Sequence, residues 1–228
     1  MKFQRTYPKY QTILPSTGEK IYFRPFLVSD EKSLLIIKEE KNSSLIIKNV
    51  LELIEKCFDD IDKEKITLQD MEYLFCSLRS KSIGEIVKTN FTCPITQEKI
   101  KTSLDLSNLF LKNGKTYFEL QLDDTLKVKF ESPTIVKILS IDGKFDMDHF
   151  IKCSISQVQK EFSIYNFEDL SNSDIEEVFS LLTKKEYNEI KSFINDLPKV
   201  CADVKYTTTD GVERTLRLDG VLNFFTLI

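Results

Sequence analysis

The feature that most constrains this chain is a phrase it writes twice. Residues 14–35, LPSTGEKIYFRPFLVSDEKSLL, read as a tight turn, a short strand, a proline exit and a helix start. Residues 122–139, LDDTLKVKFESPTIVKIL, have the same parts in the same order. Proline cannot donate to a sheet ladder, so each strand must stop there or lie at an edge. Other residues correspond at an even spacing. Glu72 with Glu186 and Tyr73 with Tyr187 are each 114 residues apart, half of the 228-residue chain. VKTNFT matches VKYTTT, and LDLSNLF matches LRLDGVLNFF. The expectation is an α+β fold of two similar tandem modules, residues 1–113 and 114–228. Each is a β-hairpin, a helical set and a closing β-hairpin, and such modules stack or pair about a pseudo-twofold axis. Coincidence between two α+β pieces is the alternative.

The local signals fit that outline. YQTIL and KIYFRPF flank PSTGE, a loop with proline and glycine where a turn needs them. Ser29 is placed as an N-cap, followed by acids that favour the positive helix end. In SSLIIKNVLELIEKCF, Ile46, Val50, Leu53, Ile54 and Cys57 share one helical face. Thr67 and Asp70 form a box-like start for a helix burying Met71, Leu74, Phe75 and Leu78. The period then changes to two around the turn CPITQEK. In the second half, YFELQL and LKVKF form a hairpin and helical material is expected over 146–162. One or two helices stop at Pro198, and ADVKYTT with VERTLRLDGVLNFF makes a final hairpin.

Composition narrows the partners. Net charge is -4, with 32 basic and 36 acidic residues interspersed, so nothing attracts nucleic acid or anionic lipid globally. No apolar run approaches a membrane span, and the first residues lack a signal-peptide core. The expectation is a soluble intracellular protein. Five scattered cysteines without a C-x-x-C point to reduced, mostly buried thiols.

Catalytic material is sparse. His149, the one histidine, lies beside Asp146 and Asp148 and is the single possible imidazole base. Cys93 sits in a turn resembling one knuckle of a zinc ribbon, but a knuckle needs a second thiolate and Thr96 stands there. No metal or cofactor is expected, and no catalytic residue is assigned. The enzymatic alternative is a hydrolase or protease acting through His149 or Cys93, the latter as an exposed turn thiol.

Aromatics offer another kind of site. Arg24 and Phe26 flank the first proline and have no counterparts in the second copy of the phrase, Glu131-Ser132-Pro133. They become candidates for a contact that only the first half makes, with an internal salt bridge from Arg24 to Glu31 or Glu72 as the alternative. Phe224 and Phe225 lie in the apolar stretch VLNFFTLI, expected to be covered by this chain or by a partner.

The stretches LPSTGEKIYFRPFLVSDEKSLLIIKEE and LQDMEYLFCSLRSKSIGE, with the Cys93 hairpin beyond them, resemble the T4-type phage baseplate hub assembly protein family. The similarity is dense over 11–110 and thinner later, where FINDLP and the last hairpin carry it. The resemblance implies a non-enzymatic protein of a contractile-tailed virus, a chaperone or component of the central baseplate hub. It implies synthesis in the host cytoplasm and other hub proteins as partners, with self-association as a further option. Family members often pair two cysteines in the hairpin turn; this chain keeps only Cys93.

Overall fold

The computed structural model describes residues 6–30 and 42–219. Phe224 and Phe225 lie outside these residues, as does most of the helix expected after Ser29. The fold is α+β, with helices and several antiparallel sheets. The chain divides into two compact units: residues 1–62, 69–112 and 199–228, and residues 63–68 and 113–198.

In the first unit, β1 (Tyr10–Ile13) and β2 (Lys20–Phe23) pair with Tyr10 opposite Phe23. Their loop closes through Leu14 N–H to Glu19 O at 2.8 Å, and Gly18 takes the left-handed position at φ 75°. Helix α1 (Ser43–Cys57) begins at Asn42, whose side chain accepts from the Ser44 and Leu45 amides. That side-chain oxygen satisfies donors the first turn leaves unpaired. Its expected apolar face is buried, but Ile47 is more deeply covered than Ile46. Helix α2 (Leu68–Ser82) buries Met71, Leu74, Phe75 and Leu78 as its periodicity predicts. Asp70, near its start, also accepts from the Ser16 amide at 2.8 Å, which ties the first hairpin loop to the helix.

Strands β3 (Ile86–Thr92) and β4 (Lys99–Asp105) form the hairpin around Cys93. A separate sheet has the order β11-β10-β5, from β5 (Phe110–Lys112), β10 (Lys199–Thr207) and β11 (Glu213–Asp219). Val200, Ala202 and Val204 alternate along β10 and pack with Cys76, Val87, Leu104 and Leu106 in one core.

The second unit holds one four-stranded antiparallel sheet, β6-β7-β8-β9. Its strands are β6 (Tyr117–Gln121), β7 (Leu126–Glu131), β8 (Ile155–Lys160) and β9 (Ser163–Asn166). The helices are α3 (Ile135–Ser140), α4 (Met147–Ser154), α5 (Asn172–Ser180) and α6 (Lys184–Asn195). Capping boxes start α5 at Ser171 and Asp174, and α6 at Thr183 and Glu186. Gly114 admits no side chain: a Cβ there would sit 1.7 Å from the Asp196 carbonyl oxygen, whose bond from the Lys115 amide draws the two segments together.

Three expectations need correction. The compact units do not follow the tandem division 1–113 and 114–228. The boundary near 113 holds, but the final hairpin joins the first unit, because β10 pairs with β5 and its apolar face completes the core of α2 and β3–β4. The order of elements is also not repeated. A fifth hairpin, β8–β9, falls between the helices of the second half, where helix was expected to 162. Helix α4 ends at Ser154, and ISQVQK then alternates as a strand whose Val158 stands opposite Val128 of β7. Finally, the aligned glutamates play different parts. Glu186 is the capping-box acid at the start of α6, whereas Glu72 is buried inside α2 and accepts from the Val200 amide.

Candidate functional site

A densely hydrogen-bonded polar feature of the first unit is a pair of hairpin turns. In the β3–β4 turn, the Cys93 amide donates to Glu98 O at 2.8 Å and the Gln97 amide to Cys93 O at 2.9 Å. In the β10–β11 turn, Gly211 at φ 77° donates its amide to Thr208 O at 2.9 Å. The Glu98 carboxylate bridges the two, accepting from the Thr209 amide at 3.0 Å and the Thr209 hydroxyl at 2.9 Å. Beneath them the Cys93 sulfur lies 3.3 Å from the Tyr206 hydroxyl, and the Tyr206 ring meets Phe91 edge-on at 4.9 Å. Arg214 clamps Asp210 through both carboxylate oxygens, at 2.9 and 2.6 Å, and also donates to the Thr208 hydroxyl. A bidentate guanidinium–carboxylate pair fixes geometry as well as charge.

This geometry sets the chemistry of Cys93. The sulfur has no solvent exposure, so the turn thiol is not the exposed group the sequence suggested. Desolvation pushes its pKa up. Thr96, through its hydroxyl and its amide at 3.5 Å, outweighs that together with Tyr206 and the Ile95 amide, and the thiol falls from 9.0 to about 7. The Thr96 hydroxyl is buried beside the sulfur without the alignment of a full directional hydrogen bond. Tyr206 moves the opposite way, raised first by its hydrogen bond to Cys93. The other cysteines are buried and free; burial pushes Cys57 up to about 11 and Cys153 to about 12. Asp210 drops to about 2, held by Thr208 and then Arg214. Among the described residues, no group of three or more His, Cys, Asp or Glu side chains is placed to hold a metal ion.

The other sequence candidates are placed as follows. Arg24 is half-buried. Its guanidinium donates to Pro25 O at 2.9 Å and Lys56 O at 3.1 Å, and its backbone amide to Cys57 O at 3.0 Å. The cation at the Lys56 carbonyl, in the last turn of α1, complements the helix dipole, and with the backbone bond to Cys57 O it locks the strand exit to that helix. Among described groups these carbonyls, rather than Glu72, receive it. Phe26 is half-buried, and its amide donates to the Ser82 hydroxyl at 3.0 Å. His149 is buried in the second unit, stacked on Phe145 at 4.7 Å, with Nε2 3.0 Å from Ile138 O. That distance makes Nε2–H the donor. Nδ1 is buried and has no hydrogen-bond partner among the described residues. Its neighbouring acids are used elsewhere: Asp146 caps α4, and Asp148 accepts from the Tyr187 hydroxyl at 2.7 Å. A polar cleft of about 310 Å³ in that unit is lined by Lys115, Phe118, Glu189, Ser192 and Asp196 among others, and not by His149.

Sequence reasoning passed over the exposed apolar tips. Ile95 on the β3–β4 turn is 72% exposed, and Val212 closes the β10–β11 turn at 48%. Phe162, on the β8–β9 turn, is fully exposed. The available signal was a large apolar residue inside a polar turn, as in TCPITQEK and QKEFS.

Apolar residues held out on stiff hairpin turns are the makings of a contact surface. The family model for the T4 bacteriophage base plate protein matches residues 7–226. The chain belongs to that family of phage base plate proteins. No curated protein and no solved structure matches it. No described helix is long and apolar enough to cross a membrane.

Proposed function

We propose that this chain is a non-enzymatic viral protein that assists assembly of the central hub of a contractile-tail baseplate, as an assembly chaperone or as a hub component. The observation that carries the reading is the family match across residues 7–226, together with the hub-type stretches around Phe23–Phe26 and Met71–Ser82. The protein works in the host cytoplasm during assembly, and its partners are other hub proteins. The polar groups with catalytic potential support this reading by their engagements. Cys93 is buried under two tied turns, and the acids beside His149 cap a helix and hold Tyr187. The tips at Ile95 and Val212, and the strand exit at Phe26, supply contact area.

The test is co-purification. A tagged chain recovered from infected cells should bring down hub subunits, and mature virions should then be assayed for the chain. Retention marks a hub component and absence a chaperone. His149→Ala and Cys93→Ser should both support tail assembly. Loss of assembly in either variant, with folding unchanged, would overturn the non-enzymatic reading, and failure to recover any hub subunit would overturn the hub assignment.

A further inference from the structure

The edge of the second unit's sheet carries an inference that does not depend on the hub reading. Among the described residues strand β9 ends the order β6-β7-β8-β9, so β8 is its neighbour on one side and its other side is a sheet edge. All four of its residues are exposed, Ile164 at 57% and Tyr165 at 42%. The register pairs Lys160 with Ser163 across the two-residue loop Glu161-Phe162. In such a hairpin the loop-closing pair exchanges hydrogen bonds, and the next pair does not. The amide of Asn166 agrees with that phase: it donates to Asp169 Oδ2 at 2.9 Å instead of to β8. Ile164 shares the phase of Asn166, so its N–H and C=O point away from β8, into the open edge.

Natural edges are guarded by charge, proline or cover. Most strands here carry a charge, such as Lys20 on β2, Lys88 on β3, Glu119 on β6 and Arg217 on β11. Strands β1 and β9 carry none, and β9 alone of the two is exposed at every position. A charge on the axis of a symmetric pairing would oppose its own copy; β9 has no charged residue to place there.

We propose that two copies of this chain pair through β9, antiparallel, about a twofold axis at Ile164. The symmetry restricts the register. A twofold must map a pair of residues onto itself, so one residue meets its own copy. A residue whose backbone groups turn outward puts a hydrogen-bonded pair on the axis, and Ile164 is the outward-facing position of β9 whose amide is not, like that of Asn166, bonded to Asp169. Ile164 then faces Ile164, Ser163 faces Tyr165, and Phe162 at the turn faces Asn166. Apolar contact is centred on the axis, and no like charges meet in either row of side chains. The Asn166 amides stay bonded to Asp169 within each copy. A four-residue edge buries less than a standard interface, so the association is weak, in about the micromolar to millimolar range.

The experiment uses the full chain. Sedimentation equilibrium over increasing concentration should show a monomer–dimer equilibrium. Ile164→Lys should weaken it by at least about tenfold, because two ammonium groups meet on the axis. Its melting curve should match the parent, since the side chain is open to solvent. Residues facing each other in a hydrogen-bonded antiparallel pair have Cα atoms about 5.5 Å apart, within disulfide reach. Ile164→Cys should therefore form a disulfide-linked dimer under mild oxidation. Ser163→Cys, whose side chain lies on the other face and meets Tyr165, should do so at least about tenfold more slowly. A chain that stays monomeric throughout overturns the proposal. So does a dimer indifferent to Ile164→Lys, or equal cross-linking at both cysteine positions.

Discussion

Two hairpin ends in this molecule hold up apolar residues in opposite ways. In the first unit, the β3–β4 and β10–β11 turns are bound to each other by Glu98 and Thr209, by Cys93 and Tyr206, and are stiffened by the Arg214–Asp210 clamp. In the second, beyond the hairpin's own ladder, the β8–β9 turn is held among the described residues by one backbone bond, from the Glu161 amide to Thr125 O at 2.7 Å, and a weak bond from the Gln159 side chain. Beneath the first pair lies a buried cluster of Cys93, Ile100 and Tyr206. Beside the second lies an uncharged open edge. The difference teaches that exposure alone does not define a contact surface. Ile95 and Val212 are presented at a fixed spacing, whereas Phe162 extends an edge that still has backbone groups to offer.

The largest expected effect breaks the foundation of the tied turns. Leu104→Ala empties a buried position in the core shared by α2, β3–β4 and β10, and should cost about 2–5 kcal/mol in urea unfolding. Hydrogen exchange should show the loss of protection in β3, β4 and β10, with α4 and β8 little changed. Equal loss in both units would erase the distinction between them.

Next, Arg214→Ala removes the clamp and leaves Asp210 and Thr208 without it. Thermal melting should fall further than for Arg217→Ala, whose partner pair with Asp203 is open to solvent. If the two variants melt alike, the clamp is ordinary surface charge.

The same clamp has a pH signature. Asp210 is depressed in the folded protein to about 2, against an unfolded carboxyl near 3.8. A depressed carboxyl contributes stability that is fully present above its unfolded pKa and is lost as pH falls through the folded one. Stability should therefore drop between about pH 4 and about pH 2. Asp210→Asn should flatten that part of the profile in urea titrations at each pH. An identical slope in the variant would place the acid sensitivity elsewhere.

The smallest effect belongs to the other hairpin. Phe162→Ser should change folding stability by no more than about 0.5 kcal/mol, because the ring is fully exposed. Urea unfolding measures it. A larger loss would mean that the β8–β9 turn is covered in solution, and the contrast between the two ends would disappear.

Local elements were legible where they rest on local physics. Gly18 in its turn, the apolar face from Val50 to Cys57, and Met71 to Leu78 on α2 all follow from dihedral preference and helical spacing. The strand–proline–helix phrase is also real: β2 stops before Pro25, and β7 stops before Pro133, with Thr134 capping α3. The repeat inferred from it did not survive as a repeat of elements. Two strands ending in proline before a helix answer the same steric demand, and that demand implies no shared ancestry of the halves. The candidate site was half visible. Cys93 stood out, but its burial, its lowered pKa and its tie to Tyr206 depend on a strand 113 residues away. Arg24 stood out as well, yet its partners are backbone carbonyls, which leave no mark in a list of charged residues.

What the sequence by itself determined is the set of pieces: hairpins at PSTGE, CPITQEK and TTDG, helices at the amphipathic stretches, and stops at the prolines. Each depends on neighbours within a turn or two, whose geometry the backbone sets directly. Only the tertiary structure decided that β10 and β11 return to the first unit, that β8 and β9 extend the sheet of the second, and that Glu98 meets Thr209. Those choices turn on which apolar faces bury each other across a hundred residues of chain. Val200, Ala202 and Val204 alternate in a way that suits any half-buried strand. Their partner is chosen by the core that α2 and β3–β4 leave incomplete, and no local pattern in β10 records it.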